Sequence, residues 1–128
     1  INFRISPDDS VDKLVAHIEK VLRKTEVKIV NIMAHNPTQP SDISSETYAV
    51  VRDTVKQVMP DLMVAPYLMV AATDSRQYAG IAENIFQYCP YRSLADDLGT
   101  IHATNERMEI RSLAEGVAFY VRLLNNCN

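Results

Sequence analysis

From Val11 to Leu22, apolar residues fall at Val11, Leu14, Val15, Ile18, Val21 and Leu22. That i, i+3, i+4, i+7, i+10, i+11 spacing is one uninterrupted helical stripe, and it commits the chain to placing a helix face against another element. Asp9 or Ser10 can cap its start. Ile1 to Ser6 alternates, with Phe3 and Ile5 on one side and Asn2 and Arg4 on the other, which predicts a short strand. Val27 to Ala34 is a β-branched run that predicts a strand buried on both faces. Strand, helix and strand in this order make a split or crossover βαβ unit.

His35-Asn36-Pro37-Thr38-Gln39-Pro40-Ser41 continues neither element, because its prolines lack the N–H and fix φ. The boundary is placed there, dividing the chain into residues 1–36 and 37–128. A second helix starts at Ser44 or Ser45, turns Tyr48, Val51, Val55 and Val58 inward, and stops at Pro60. Leu62 to Ala72, interrupted by Pro66, predicts a buried strand that bends at its middle. A short helical turn follows Thr73-Asp74-Ser75-Arg76, capped by Thr73 or Asp74, and Asn84 to Cys89 reads as another strand. The last helix opens on the capping box Ser112-x-x-Glu115 and turns Leu113, Val117, Tyr120, Val121 and Leu124 inward. The pattern is α/β or α+β.

Composition removes several functions. The 128 residues carry a net charge of -3 without a basic block, so nucleic acid is not an expected partner. Three glycines, Gly80, Gly99 and Gly116, cannot build a phosphate loop, a dinucleotide fingerprint or a nucleophile elbow. Cys89 and Cys127 form no C-x-x-C pair, which leaves a thiolate zinc site without support. No apolar run reaches the roughly 18 residues of a membrane span, so a membrane is not expected either. The chain begins Ile1-Asn2-Phe3-Arg4 without an initiator Met, and it is read as a piece of a longer protein.

Among the histidines, His17 has no metal ligand at i±3 or i±4 on its helix and reads as a surface residue; His35 reads as a loop residue. His102 stands in the polar segment Gly99-Thr100-Ile101-His102-Ala103-Thr104-Asn105-Glu106-Arg107. A zinc site needs about three protein ligands, and spacing supplies one here. Arg76 follows the most apolar stretch and can offer its planar fork to a carboxylate beside the N–H groups of a helix start. Alternatively, Asp74 caps that turn and Arg76 joins a surface ion pair.

Val64-Ala65-Pro66, Ala71-Ala72-Thr73-Asp74-Ser75-Arg76-Gln77-Tyr78, Ile101-His102-Ala103-Thr104-Asn105-Glu106-Arg107-Met108 and the closing helix resemble the C-terminal third of a family of zinc peptidases. That family comprises the aminoacylases, carboxypeptidase S and succinyl-diaminopimelate desuccinylase. Asn2-Phe3-Arg4-Ile5 with Pro7 and the first helix resembles the second half of its lid, or dimerisation, domain. The likeness covers nearly the whole chain and is nearest to the carboxypeptidase S branch. It implies an α/β arrangement in which residues 1–36 are half of a βαβ lid and residues 37–128 are the C-terminal strands and helices of a zinc-exopeptidase-like catalytic domain.

The resemblance further implies that His102 is the last ligand to a pair of zinc ions. It implies that Arg76, Asp74 and Arg4 serve the pocket for the free carboxylate of a small peptide or N-acyl amino acid, and that the protein can form a homodimer. Departures from the usual family pattern are Ala72 in place of glycine, Gln77 in place of histidine and Ala103 where glycine often follows the ligand. The family's His-x-Asp and Glu-Glu motifs are not in this sequence, so no general base is assigned and the 128 residues alone are expected to be inactive. The other reading is a non-catalytic dimerisation or scaffold module that pairs strand edges.

Overall fold

The computed structural model describes residues 1–69, 71, 73–93 and 95–128. Among the described residues four helices form: α1 (Val11–Leu22), α2 (Glu46–Val58), α3 (Ala95–Leu98) and α4 (Ile110–Asn126), with a 3₁₀ turn at Asp74–Tyr78. Among the described residues there is no strand. The chain divides into two compact units: Ile1–Ser41 with Leu68–Ile85, and Asp42–Tyr67 with Phe86–Asn128.

In the first unit, α1 occupies the expected span. Ser10 caps it, its Oγ accepting from the Lys13 N–H at 3.3 Å. The Asn36 side chain adds a second acceptor, taking the Val11 N–H at 2.9 Å, so the proline-rich segment returns to the start of the helix. Ser41 and Ile85 are joined reciprocally: the Ser41 Oγ donates to the Ile85 carbonyl at 2.8 Å and accepts from its N–H at 2.7 Å. Thr73, not Asp74, caps the 3₁₀ turn, its Oγ1 accepting from the Ser75 N–H at 3.2 Å.

The second unit holds the core. Val55 and Met59 meet Phe119, with Val51, Val58, Leu62, Val64, Tyr88 and Leu123 packed around them. The inward set expected of α2 is realised: Val55 is buried, Val51 and Val58 flank it, and Tyr48 sets its ring against Phe86 with centroids 5.6 Å apart. Ser45 caps α2, and its last residue is Val58, just before Pro60. At the far end the Asn126 amide donates to Thr54 Oγ1 at 2.8 Å and to Gln57 Oε1 at 3.2 Å, linking the end of α4 to α2.

Three expectations are corrected. Ile1–Ser6, Val27–Ala34 and Asn84–Cys89 form no ladder among the described residues, and neither does the described part of Leu62–Ala72. Val70 and Ala72, including the departure at Ala72, lie outside the described residues. A strand exists only by pairing, so β-rich composition without a partner edge leaves extended backbone. Val27–Ala34, expected to be buried on both faces, is exposed throughout, with Val30 at 95% and Met33 at 92%. The period of two nonetheless survives elsewhere: Phe86, Tyr88 and Pro90 turn inward while Gln87 and Cys89 face solvent, and Leu62 and Val64 do likewise around Met63.

The third correction concerns α4. It begins at Ile110 with Glu109 at the cap position and no side-chain cap, so Ser112 and Glu115 are interior residues rather than a capping box. The buried face sets Phe119 and Leu123 against α2 and sets Ser112 and Gly116 against the Tyr91–Arg92 segment. Leu113, Val117, Tyr120, Val121 and Leu124, expected inward, are exposed. Gly116 leaves room on this face for the Tyr91 ring, which would have to shift if a Cβ were added there. Its conformational cost in a helix, about 0.5–1 kcal/mol relative to Ala, is offset by the seated ring.

Candidate functional site

Ser112, fully buried, ties α4 to the extended segment before α3: its Oγ accepts the Arg92 N–H and donates to the Arg92 carbonyl at 3.0 Å. The Arg92 guanidinium reaches Asp61 with two hydrogen bonds, 2.7 and 2.8 Å, and Glu115 with one of 2.6 Å. Arg111 adds a 3.1 Å contact to Glu115. The bidentate hydrogen bonds from Arg92 hold the Asp61 carboxyl down at about 2, and the two carboxylates raise the Arg92 guanidinium above its ordinary value. A concavity of about 310 Å³ opens beside this cluster between Met59, Leu62, Tyr88, Pro90 and Arg92. Its cation is already engaged by carboxylates, so the concavity offers no free charge to a ligand.

His102 lies on the loop between α3 and α4. Residues 101–109 are exposed throughout, and His102 and Asn105 hold left-handed backbone at φ 61° and 64°. The loop turns through Thr100, whose N–H and Oγ1 donate to the Asp97 carbonyl at 2.9 and 2.7 Å, and through Ala103, whose N–H donates to the Thr100 carbonyl at 2.9 Å. The His102 N–H donates to Glu106 Oε2 at 3.3 Å, while Arg107 Nε donates to Asp97 Oδ1 at 2.7 Å. Among the described residues the His102 imidazole has no hydrogen-bond partner, which leaves its nitrogens available.

The substrate-side candidates belong to the other unit. Asp74 and Arg76 share the 3₁₀ turn, both exposed. Neither of the bland roles is taken: Thr73 is the cap, and among the described residues the Arg76 guanidinium has no carboxylate partner. Arg4 is exposed and donates to Asn2 Oδ1 at 3.2 Å; no hydrogen bond or ion pair joins it to Asp74 or Arg76 among the described residues. His17 and His35 are exposed, as expected.

No group of three His, Cys, Asp or Glu side chains among the described residues could hold a metal ion. His102 therefore fits a metal as a single donor, and the described residues do not make up a complete centre. No helix among the described residues is long and apolar enough to cross a membrane. The Asp97–Arg107 pair and the pairs of Arg92 with Asp61 and Glu115 were not legible as site features: each joins charges ten or more positions apart, beyond helical or strand spacing.

The comparison with known families is specific: residues 4–126 match Peptidase family M20/M25/M40, and the chain belongs to that family. It is 37% identical over 129 residues to a probable carboxypeptidase S-like 2 of Dictyostelium discoideum, covering 98% of this chain and 24% of that protein. It is 30% identical over 128 residues to the N-fatty-acyl-amino acid synthase/hydrolase PM20D1.1 of Danio rerio, covering 98% of this chain and 25% of that protein. With PM20D1 of Homo sapiens it shares 27% identity over 131 residues, 100% of this chain and 26% of that protein. The chain thus spans about a quarter of the length of these relatives. No solved structure matches it.

Proposed function

We propose that this chain is part of a zinc-dependent hydrolase that cleaves an amide or peptide bond next to a free carboxylate, in the manner of a carboxypeptidase or aminoacylase. In this reading His102 donates one imidazole nitrogen to one of two zinc ions, and the other donors and the general base come from outside the described residues. Arg76 receives the substrate carboxylate in its planar fork, Asp74 beside it belongs to the same pocket, and Arg4 reaches the same group. A bound zinc would polarise the scissile carbonyl and acidify a water. The 128 residues alone are inactive. Residues 1–36 belong to the lid and 37–128 to the catalytic domain; the α/β character of each depends on extended segments, Val27–Ala34 in the lid and Asn84–Cys89 in the catalytic domain, finding partner edges. The exposed apolar Val27–Ala34 segment also suits a homodimer paired through the lid.

The observation that carries the reading is an imidazole without a partner among the described residues, on a loop otherwise closed by its own hydrogen bonds, in a chain of this family. The relatives' names, carboxypeptidase S-like and N-fatty-acyl-amino acid synthase/hydrolase, point to substrates with a peptide or N-acyl amide beside a carboxylate. The test uses the protein at its natural length. His102→Ala lowers zinc content and abolishes turnover, whereas Arg76→Ala raises KM for carboxylate substrates and spares amide-capped ones. Unaltered zinc content and kinetics in both variants refute the assignment.

A further inference from the structure

The loop that carries His102 has little to hold it. Every residue from 101 to 109 is exposed, so burial of apolar surface cannot fix its conformation. Two of its residues, His102 and Asn105, sit in the left-handed region, which side chains with a Cβ enter at a cost and keep only where surrounding contacts enforce it. The Thr100, Ala103 and His102 hydrogen bonds each reach no more than four positions along the chain, closing local turns without joining the loop's two ends.

Among the described residues one contact joins them. Arg107 Nε meets Asp97 Oδ1 at 2.7 Å, spanning ten positions with His102 at their midpoint. The Asp97 side chain is 17% exposed, so this end of the pair is anchored, while the Arg107 side chain at 64% is held chiefly by that carboxylate. Asp97 also anchors the loop through its backbone: its carbonyl takes both the N–H and the hydroxyl of Thr100.

We propose that the Asp97–Arg107 ion pair is a clasp that holds this loop in the conformation presenting His102, making Asp97 and Arg107 positioning residues for that imidazole. As a statement about zinc, the inference rests on the His102 assignment above. As a statement about loop order, it stands separately. Closing the loop at its base narrows the conformations open to the residues between, so the ring is ordered before any metal arrives and less ordering remains to be done on binding.

The test has two readouts in the protein at its natural length, neither of them turnover. In zinc-loaded protein challenged with a chelator, Arg107→Ala and Asp97→Ala are expected to release the metal at about three- to tenfold lower chelator concentration. Arg107→Lys retains most of the hold, and the exchanged pair Asp97→Arg with Arg107→Asp restores part of it. In metal-free protein, amide exchange at His102 and Ala103 quickens in the single alanine variants and slows again in the exchanged pair. Wild-type zinc retention together with wild-type exchange in the single variants overturns the clasp. So does a loss of retention that follows a fall in Tm and is not recovered by Arg107→Lys or the exchanged pair. If His102→Ala itself keeps its zinc, the ligand assignment is what has failed, and amide exchange alone decides the clasp.

Discussion

α1 and α4 both carry long apolar stripes, yet α1 has no buried residue and α4 has Ser112, Gly116 and Phe119 buried. The difference does not follow from hydrophobicity. The strongest stripe of α4, from Leu113 to Leu124, is exposed, and its buried row includes a serine and a glycine. What separates the helices, among the described residues, is a partner: α4 lies against α2 and the Tyr91–Arg92 segment, and the row that faces them is the row that is buried. Burial is a property of pairs of surfaces, and periodicity reports only one member of the pair.

The sharpest way to break this comparison is to remove the side chain that joins α4 to α2. Phe119 touches Tyr88, with ring centroids 4.9 Å apart, as well as Val55 and Met59 in the core. Phe119→Ala is expected to cost about 3–5 kcal/mol, from lost transfer free energy and the cavity left behind, read as a fall in the thermal midpoint. A change below about 1 kcal/mol would mean that the α2–α4 core does not govern stability.

Ser112→Ala tests the same row through polarity. Removing its hydroxyl deprives both the N–H and the carbonyl of Arg92 of a partner, and an unsatisfied buried group costs about 1–3 kcal/mol. Ser112→Cys, with a weaker donor and acceptor, is expected to fall between alanine and wild type in denaturant unfolding.

How much of this was legible beforehand depended on whether the determining contact was local. The span of α1, the end of α2 before Pro60 and the Thr73 cap follow from neighbours within about one turn, and the sequence carried them. The face of α4 did not follow, because Tyr91 and α2 choose it from 25 and more positions away, and Ser112-x-x-Glu115 served those long-range contacts instead of a cap. The strands were misread for the same reason: a β-branched run states a preference, and the partner edge is supplied elsewhere or not at all. Among the candidate residues, His102 and Arg76 could be singled out only through the family resemblance, because residue type and spacing left their structural readings open, whereas the Asp97–Arg107 pair that bridges the His102 loop had no signal at all.

A smaller effect is expected from pH. Hydrogen bonds from Arg92 hold the folded-state Asp61 carboxyl at about 2, below its ordinary value of 3.8. Folding is therefore linked to deprotonation: the contribution is full above the ordinary carboxylate range and is lost as pH falls through about 2. The difference in thermal midpoint between wild type and Asp61→Asn should be positive at pH 5 and shrink toward zero near pH 2. A constant difference over that interval would remove ionisation of Asp61 from the account.

The smallest expected effect lies on the other side of the comparison. Val21 belongs to the stripe of α1 but is 62% exposed, and no residue of that helix is buried. Val21→Ser exchanges residues of similar helix propensity and removes little covered surface, so the thermal midpoint should shift by no more than the equivalent of about 0.5 kcal/mol. The result sharpens the contrast because the substitution would be severe at a packed position: a buried valine replaced by a hydroxyl loses its transfer free energy and places a polar group in the core. A loss comparable with that of Phe119→Ala would mean that the α1 stripe is covered in solution. The difference between α1 and α4 would then lie in which surface covers each helix, and no longer in whether one is covered.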